Sequence, residues 1–273
     1  NNIDHQSISQ WVEPFMGSGV VGFNMQIENS VFADSNPHLI NFYNAIKNRK
    51  ITSAIAKSFL EEEGAKLAES GSEHFYFIRK RFNEKADPLD FLFLNRSCFN
   101  GMIRFNRKFK FNTPYGKKDK RFSKSYITKI VNQIKFIEER IAYFNWEFKC
   151  QSFEETINEA GSESLIYCDP PYIGRHVDYF DSWSEENEEK LFQLLNNSSS
   201  KFIVSTWAKN RFRENPYLET LWRDFNKVYK EHFYFLGGKE TNRNSMTEAL
   251  ILNFEPVKEP EKNEEETQIE LFD

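Results

Sequence analysis

Leu165-Ile166-Tyr167-Cys168-Asp169-Pro170-Pro171-Tyr172 is the stretch on which the fold of this chain turns. Its first half is a short apolar run, as expected of a strand buried on both faces. Its second half brings an acid, two rigid prolines and an aromatic ring to the strand's C-terminal end, where open α/β sheets place their ligands. Such a cluster can accept protons from an amino group on a planar ring while the tyrosine covers the face of that ring. The bland alternative is a tyrosine packed in the core below the sheet edge.

Outward from this strand, the chain opens as β-α-β-α. Trp11–Phe15 reads as a strand, Val20–Ile27 as a helix, Ser30–Ala33 as a strand ending at Asp34, and Pro37–Ile46 as a helix. That alternation implies parallel pairing. From Ile51 to Ala142 the rhythm is lost. Helical stretches at Ile51–Glu69, Glu73–Asn83, Pro88–Phe99 and Ser125–Ile141 surround a hairpin candidate, as expected of an inserted, mostly helical subdomain. Alternation then resumes with strands at Trp146–Cys150 and Leu165–Cys168, a serine-capped helix at Ser184–Leu195 and a strand at Lys201–Thr206. A helix at Tyr217–Phe225 and strands at Val228–Phe235 and Ala249–Phe254 close the pattern.

The 273 residues are enough for a full core, and no apolar run is long enough to span a membrane. The start of the chain lacks a basic-then-apolar signal, so a cytoplasmic protein is expected. Cys98, Cys150, Cys168 and five histidines are too scattered for a disulfide framework or a metal centre. Net charge is −5, which by itself argues against nucleic acid. The distribution of charge reverses that inference. Residues 101–125 hold nine basic side chains and one acid, interleaved with Phe105, Phe109, Phe111 and Tyr115 and broken by Pro114 and Gly116. A local basic surface, not the global sum, sets phosphate attraction. The opposite charge gathers from Glu255 onward, where eight acids and two lysines make a polar tail.

Gly17-Ser18-Gly19-Val20-Val21-Gly22 matches G-x-G-x-x-G. Alone this is a tight strand-to-helix turn, which suits a dinucleotide or any ligand needing close backbone approach. Asp34, ending the next strand, reads either as an acceptor for ribose hydroxyls or as the N-cap of the helix that follows.

Glu13-Pro14-Phe15-x-Gly17-x-Gly19, then Asp34, then Asp169-Pro170-Pro171-Tyr172, in that order, resembles the Dam-like (alpha-order) DNA adenine-N6 methyltransferases. Asn95-Arg96-Ser97-Cys98-Phe99-Asn100-Gly101 with Phe111-Asn112-Thr113-Pro114-Tyr115-Gly116 is similar to that family's insert signature, and Thr247–Phe254 to its closing strand. The resemblance implies a Rossmann-like α/β sheet flanked by helices and ending in a reversed hairpin, with an inserted, mostly helical target-recognition domain bearing a β-hairpin. The implied domains are a discontinuous catalytic unit at 1–56 and 145–255, a recognition unit at 57–144 and a flexible acidic tail at 256–273.

The resemblance further implies S-adenosylmethionine as cofactor, leaving as S-adenosylhomocysteine. Its binding set would be Glu13, Pro14, Phe15, Gly17, Ser18, Gly19, Asp34, Ser152, Phe153 and Asp169. The catalytic set would be Asp169, Pro170, Pro171 and Tyr172. Double-stranded DNA would be met by Arg96, Asn100, Arg104, Asn106, Arg107, Lys108, Lys110, Pro114, Lys117 and Lys118. No metal is implied. Two departures stand out. The family's Lys- and Gly-containing motif before the glycine turn is absent from the ten residues preceding Trp11, so further N-terminal residues are expected. Gln151-Ser152-Phe153 stands where the family has Asp before Phe.

No Pro-Cys pair occurs, which removes C5-cytosine chemistry through a cysteine nucleophile. N4-cytosine methylation, RNA adenine methylation and a non-catalytic DNA-binding role stay open. A restriction endonuclease is the expected partner system. Gln268-Ile269-Glu270-Leu271-Phe272 resembles the short peptide that docks on the replication sliding clamp.

Overall fold

The computed structural model describes residues 8–173, 183–210, 212–235 and 243–256, without the side chains of residues 119, 232–235 and 243–245. The tail beyond Pro256 and the peptide Gln268–Phe272 lie outside the described residues. Strands are β1 (Gln10–Glu13), β2 (Asn29–Asp34), β3 (Asn145–Cys150), β4 (Ser164–Cys168), β5 (Lys201–Asn210), β6 (Asn226–Phe235) and β7 (Arg243–Leu252). They form one sheet in the order β3-β2-β1-β4-β5-β7-β6. The pairs from β3 to β5 are parallel, and β7 runs antiparallel to both β5 and β6. The expected parallel sheet with a reversed hairpin at one end is therefore present.

β1 shows why the run is apolar on both sides. Trp11 joins the cluster on one face of the sheet and Val12 the cluster on the other. On the Trp11 side, Phe23 stacks on Trp146 with centroids 5.0 Å apart, and Phe32 stacks on Phe148 at 5.5 Å. Each such buried side chain contributes about 1.5–3 kcal/mol of transfer free energy. On this face lie α1 (Val20–Asn24) and α2 (Pro37–Lys47). Asn36 caps α2 by accepting from the amides of His38 and Leu39, with Pro37 preset in the first turn.

Between α2 and β3 the chain forms α3 (Ser53–Ser70), α4 (Ser72–Lys85), α5 (Pro88–Ser97) and α6 (Lys124–Tyr143). Phe91, Phe93 and Leu94 of α5 share one apolar cluster with Trp11 and Phe32 of the sheet. A buried polar network also braces this insert. Glu63 of α3 contacts His74 (2.6 Å) and Arg81 (3.3 Å) of α4, and Arg81 grips Asp90 of α5 at 2.6 Å. Breaking one partner of such a network is costly because it strands a buried charge.

On the other face lie α7 (Phe153–Glu159) and α8 (Glu185–Asn197). The sequence pattern expected no helix at 153–159, although Ser152-x-x-Glu155 is a capping box and both of its bonds form. The helix expected at Tyr217–Phe225 is instead a 3-10 turn at Pro216–Leu218 followed by turns. Leu218 and Trp222 are still buried, but only a short link separates Asn215 from β6. Trp222 there bonds back to the Tyr217 carbonyl, five residues away, rather than four as an α-helix requires. The expected hairpin in residues 101–125 consists of two isolated antiparallel bridges, Cys98 to Tyr115 and Phe105 to Phe111, not of two regular strands. No described helix is long and apolar enough to cross a membrane.

Candidate active site

The C-terminal ends of β1, β2 and β4 open onto one cleft of about 1270 Å³. That exceeds the ~300–1,000 Å³ of a pocket for one small molecule. Two ligands can therefore meet inside it.

One end of the cleft is built around the glycine turn. Gly19 enters α1 with φ +68°, and an added Cβ there would lie 2.4 Å from the Phe23 ring. A Cβ on Gly22 would strike Phe32, Glu13 and Trp11 within 2.6 Å, so this turn presses directly onto β1. Glu13 explains how it is held. Its Oε2 accepts from Trp11 Nε1 at 3.0 Å and from the Gly22 amide at 3.2 Å, reaching from β1 to cap a helix whose own N-cap has no side chain. Burial pushes the Glu13 carboxyl up to about 8, against those two bonds. Glu13 and Gly19 thus support the turn from below, whereas Pro14, Phe15, Gly17 and Ser18 line the cleft.

Asp34 is not the cap of α2, because Asn36 fills that role. Its Oδ2 accepts from the Gly17 amide at 3.1 Å and its Oδ1 from the Asn36 amide at 2.8 Å. The carboxylate is thereby locked at the cleft wall with lone pairs remaining for a ligand. Burial raises its pKa, and the two amides oppose the rise. Tyr43 steadies the turn from α2 by donating to the Ser18 carbonyl at 2.9 Å.

Beside Asp34 stands an aromatic box. Phe15 stacks on Phe153 at 5.3 Å, and Trp183 closes the third side at 5.5 and 5.4 Å from those rings. Trp183 is fixed by its indole N–H, which donates to Glu188 at 2.7 Å. Ser152 borders the cleft, and its hydroxyl accepts from the Glu155 amide as the cap of α7, so its acceptor capacity is partly committed.

Across the cleft, Asp169, Pro170, Pro171 and Tyr172 follow directly from β4. Asp169 is accessible from the cleft, yet the surrounding walls displace enough water to raise its pKa. The Ser205 hydroxyl opposes that rise, and the Glu248 charge adds to it. Tyr172 Oη lies 3.4 Å from Ser205 Oγ. The next residue is pinned too, since Trp207 Nε1 donates to the Ile173 carbonyl at 3.1 Å.

The third wall is the loop between α5 and α6. Its tip is closed by Asn106, whose Oδ1 accepts from the amides of Lys108 and Lys110. His38 of α2 stacks on Phe105 at 4.8 Å and contacts the Phe109 carbonyl at 3.1 Å, docking the tip beside the cleft. Arg104 and Asn106 line the cleft, and Arg107 and Lys108 are exposed at the tip. With Oδ1 engaged inside the loop, Asn106 has no free acceptor for bidentate reading of adenine. Lys110 is turned back onto the Asn83 carbonyl. Arg96 lies 4.1 Å over the Tyr126 ring and donates to the Arg121 carbonyl, as a brace within the insert. Asn100, Pro114, Lys117 and Lys118 are exposed at the base of the loop, away from the tip.

His38, Tyr43, Trp183 and Ser205 were not singled out from the sequence. None lies within a motif. Only Trp183, one residue before the cap of α8, sat near a legible signal.

A family model described as D12 class N6 adenine-specific DNA methyltransferase matches residues 1–236. The chain is 29% identical over 259 residues to the Type II methyltransferase M.FokI of Planomicrobium okeanokoites, covering 90% of this chain and 39% of that protein. It is 34% identical over 172 residues to the DNA adenine methylase of Serratia marcescens, covering 59% of this chain and 57% of the relative. The modification methylase StsI of Streptococcus sanguinis is 26% identical over 266 residues, covering 92% and 40%. The chain therefore spans roughly two fifths to three fifths of the length of these relatives.

Proposed function

The chain belongs to the D12 class of N6 adenine-specific DNA methyltransferases, and from that premise we propose that it transfers a methyl group from S-adenosylmethionine to the N6 amino group of adenine in duplex DNA. The single observation that carries this reading is the shared cleft, in which the Asp34 and aromatic-box wall faces Asp169–Tyr172. Relatives named as a Type II methyltransferase and a modification methylase support a place in a restriction-modification system.

The residues present suit the cofactor. Asp34 would hold the ribose hydroxyls, Phe15, Phe153 and Trp183 the adenine ring, and the Gly17–Ser18 backbone the methionine part. When bound, S-adenosylmethionine supplies an electrophilic methyl group. The chain's own part is to prepare the nitrogen that receives it. The amino group of adenine is a poor nucleophile because its lone pair is conjugated with the ring. Hydrogen bonds from its two N–H groups to Asp169 and to the Pro170 carbonyl would favour a tetrahedral nitrogen and localise that pair. Positioning and fixed dipoles then lower the barrier without a covalent enzyme intermediate.

Reaching this site requires the base to leave the duplex, at a cost of a few kcal/mol. Tyr172 would stack on it. Residues 57–144 would serve as the target-recognition domain, with Arg104, Arg107 and Lys108 on bases or phosphates. Gln268–Phe272 would dock on the replication sliding clamp. Unchanged clamp capture after deletion of the last six residues would remove that part of the proposal.

The deciding experiment is nucleoside mass spectrometry of unmethylated duplex DNA incubated with the protein and S-adenosylmethionine. N6-methyladenine is expected. N4-methylcytosine alone, or methylation of RNA in preference to DNA, would overturn the substrate assignment.

A further inference from the structure

Ser205 lies outside every motif, on β5, and is 8% exposed. Val204 pairs with Cys168 across β4 and β5, so the parallel register sets Ser205, midway along β5, beside Asp169, the first residue past the end of β4. The Ser205 hydroxyl is 3.4 Å from Tyr172 Oη. The same hydroxyl stands beside the Asp169 carboxyl and favours its ionised form. A serine hydroxyl has one proton to donate and two acceptor sites. An ionised Asp169 only accepts, and the Tyr172 phenol has a proton to give. With the serine proton turned to Asp169, the Ser205 oxygen is left to accept from the Tyr172 phenol.

We propose that Ser205 is the positioning residue of this site, its hydroxyl tying the carboxylate that would receive the amino group of the target base to the ring on which that base would stack. The assignment rests on the methyltransferase reading above. Without the hydroxyl, Asp169 loses a donor that favours its ionised form, and Tyr172 loses its tether to β5. Among the described residues, the titratable groups that interact with Asp169 are Glu13 of β1, Tyr167 and Cys168 of β4 and Glu248 of β7. Both glutamates, when ionised, disfavour an ionised Asp169, so the Ser205 proton acts against them.

The test is the single-turnover methylation rate against pH for the full chain and for Ser205→Ala, Ser205→Thr and Ser205→Cys. Cofactor and DNA affinities are measured alongside. Loss of a hydrogen bond to a charged group predicts a fall in rate of about 10- to 100-fold in the alanine variant. The acid limb of its pH profile should move to higher pH while both affinities stay within about twofold. Threonine, which keeps the hydroxyl, should recover most of the rate and the wild-type limb. Cysteine keeps the volume with a weak donor and should behave like alanine, which carries the test where the alanine variant unfolds. An active wild type beside alanine and cysteine variants with its rate and acid limb would overturn the proposal. A wild type that methylates nothing overturns the methyltransferase reading itself, a distinguishable result.

Discussion

The wall of the cleft carried by β1, β2 and β4 and the wall carried by the loop between α5 and α6 hold their residues by different means. In the first, parallel register places Phe15, Asp34 and Asp169 at adjoining strand ends, with the backbone ladder beneath them. Two backbone amides then fix Asp34, and Glu13 fixes the glycine turn. In the second, two isolated bridges are joined by side-chain staples from Asn106, Asn83 and His38. Chemistry that repeats on every turnover needs the rigid wall. Under the proposed function, a loop held by such staples would let the DNA-contacting surface change without rebuilding the sheet.

The sharpest break of this comparison comes from Asp169→Ala. It should lower turnover about a thousandfold or more, in the range lost with a central transition-state contact, while thermal melting stays close to wild type. Near-normal turnover would remove the catalytic assignment. Next is Asp34→Ala, expected to weaken S-adenosylmethionine binding about tenfold to a hundredfold through loss of a charged acceptor. Calorimetry should find DNA affinity intact. Equal weakening of both ligands would mean that the two walls are not separable.

From the other wall, Arg107→Ala should weaken DNA binding about tenfold and reduce the salt dependence of the binding constant by about one ion. Cofactor titration should be unchanged. A loss of cofactor affinity as large as the loss of DNA affinity would show that the loop acts on the rigid wall.

The last prediction concerns stability rather than rate or binding. The Glu13 carboxyl is pushed up to about 8 by burial, from an ordinary value of 4.5. The folded state therefore holds its proton where the unfolded chain has released it. The resulting stability is fully present below about pH 4.5 and is lost as pH rises through about 8. Asp34 and Asp169 are raised as well and share the sign. Urea unfolding at pH 5 and pH 8.5 should show wild type losing more stability on alkalinisation than Glu13→Gln. Identical losses would place the titration elsewhere.

Much of this site was legible residue by residue. Asp169–Tyr172 and Phe15, Gly17 and Ser18 reach the cleft where the motifs indicated, and the strands that carry them fall within a few residues of their expected bounds. The choice between the two roles of Asp34 was not legible, because a cap and a ligand acceptor both sit just before a helix. The cap formed by Asn36 removes the first of these for Asp34. The basic cluster also read as more uniform than it is. Lys110 and Arg96 are turned inward onto Asn83 and Tyr126, whereas Arg107 and Lys108 are exposed at the tip.

By itself, the sequence determined the parallel sheet and the glycine turn that follows its first strand. Each depends on local patterns, namely apolar runs, capping residues and glycines where a side chain would collide. Only the tertiary structure decided that Ser205 meets Tyr172 across 33 residues, that Trp183 closes a box with Phe15, and that His38 docks the loop 71 residues on. Those contacts arise where strand register and helix packing bring distant segments together, and no short window of sequence contains both partners.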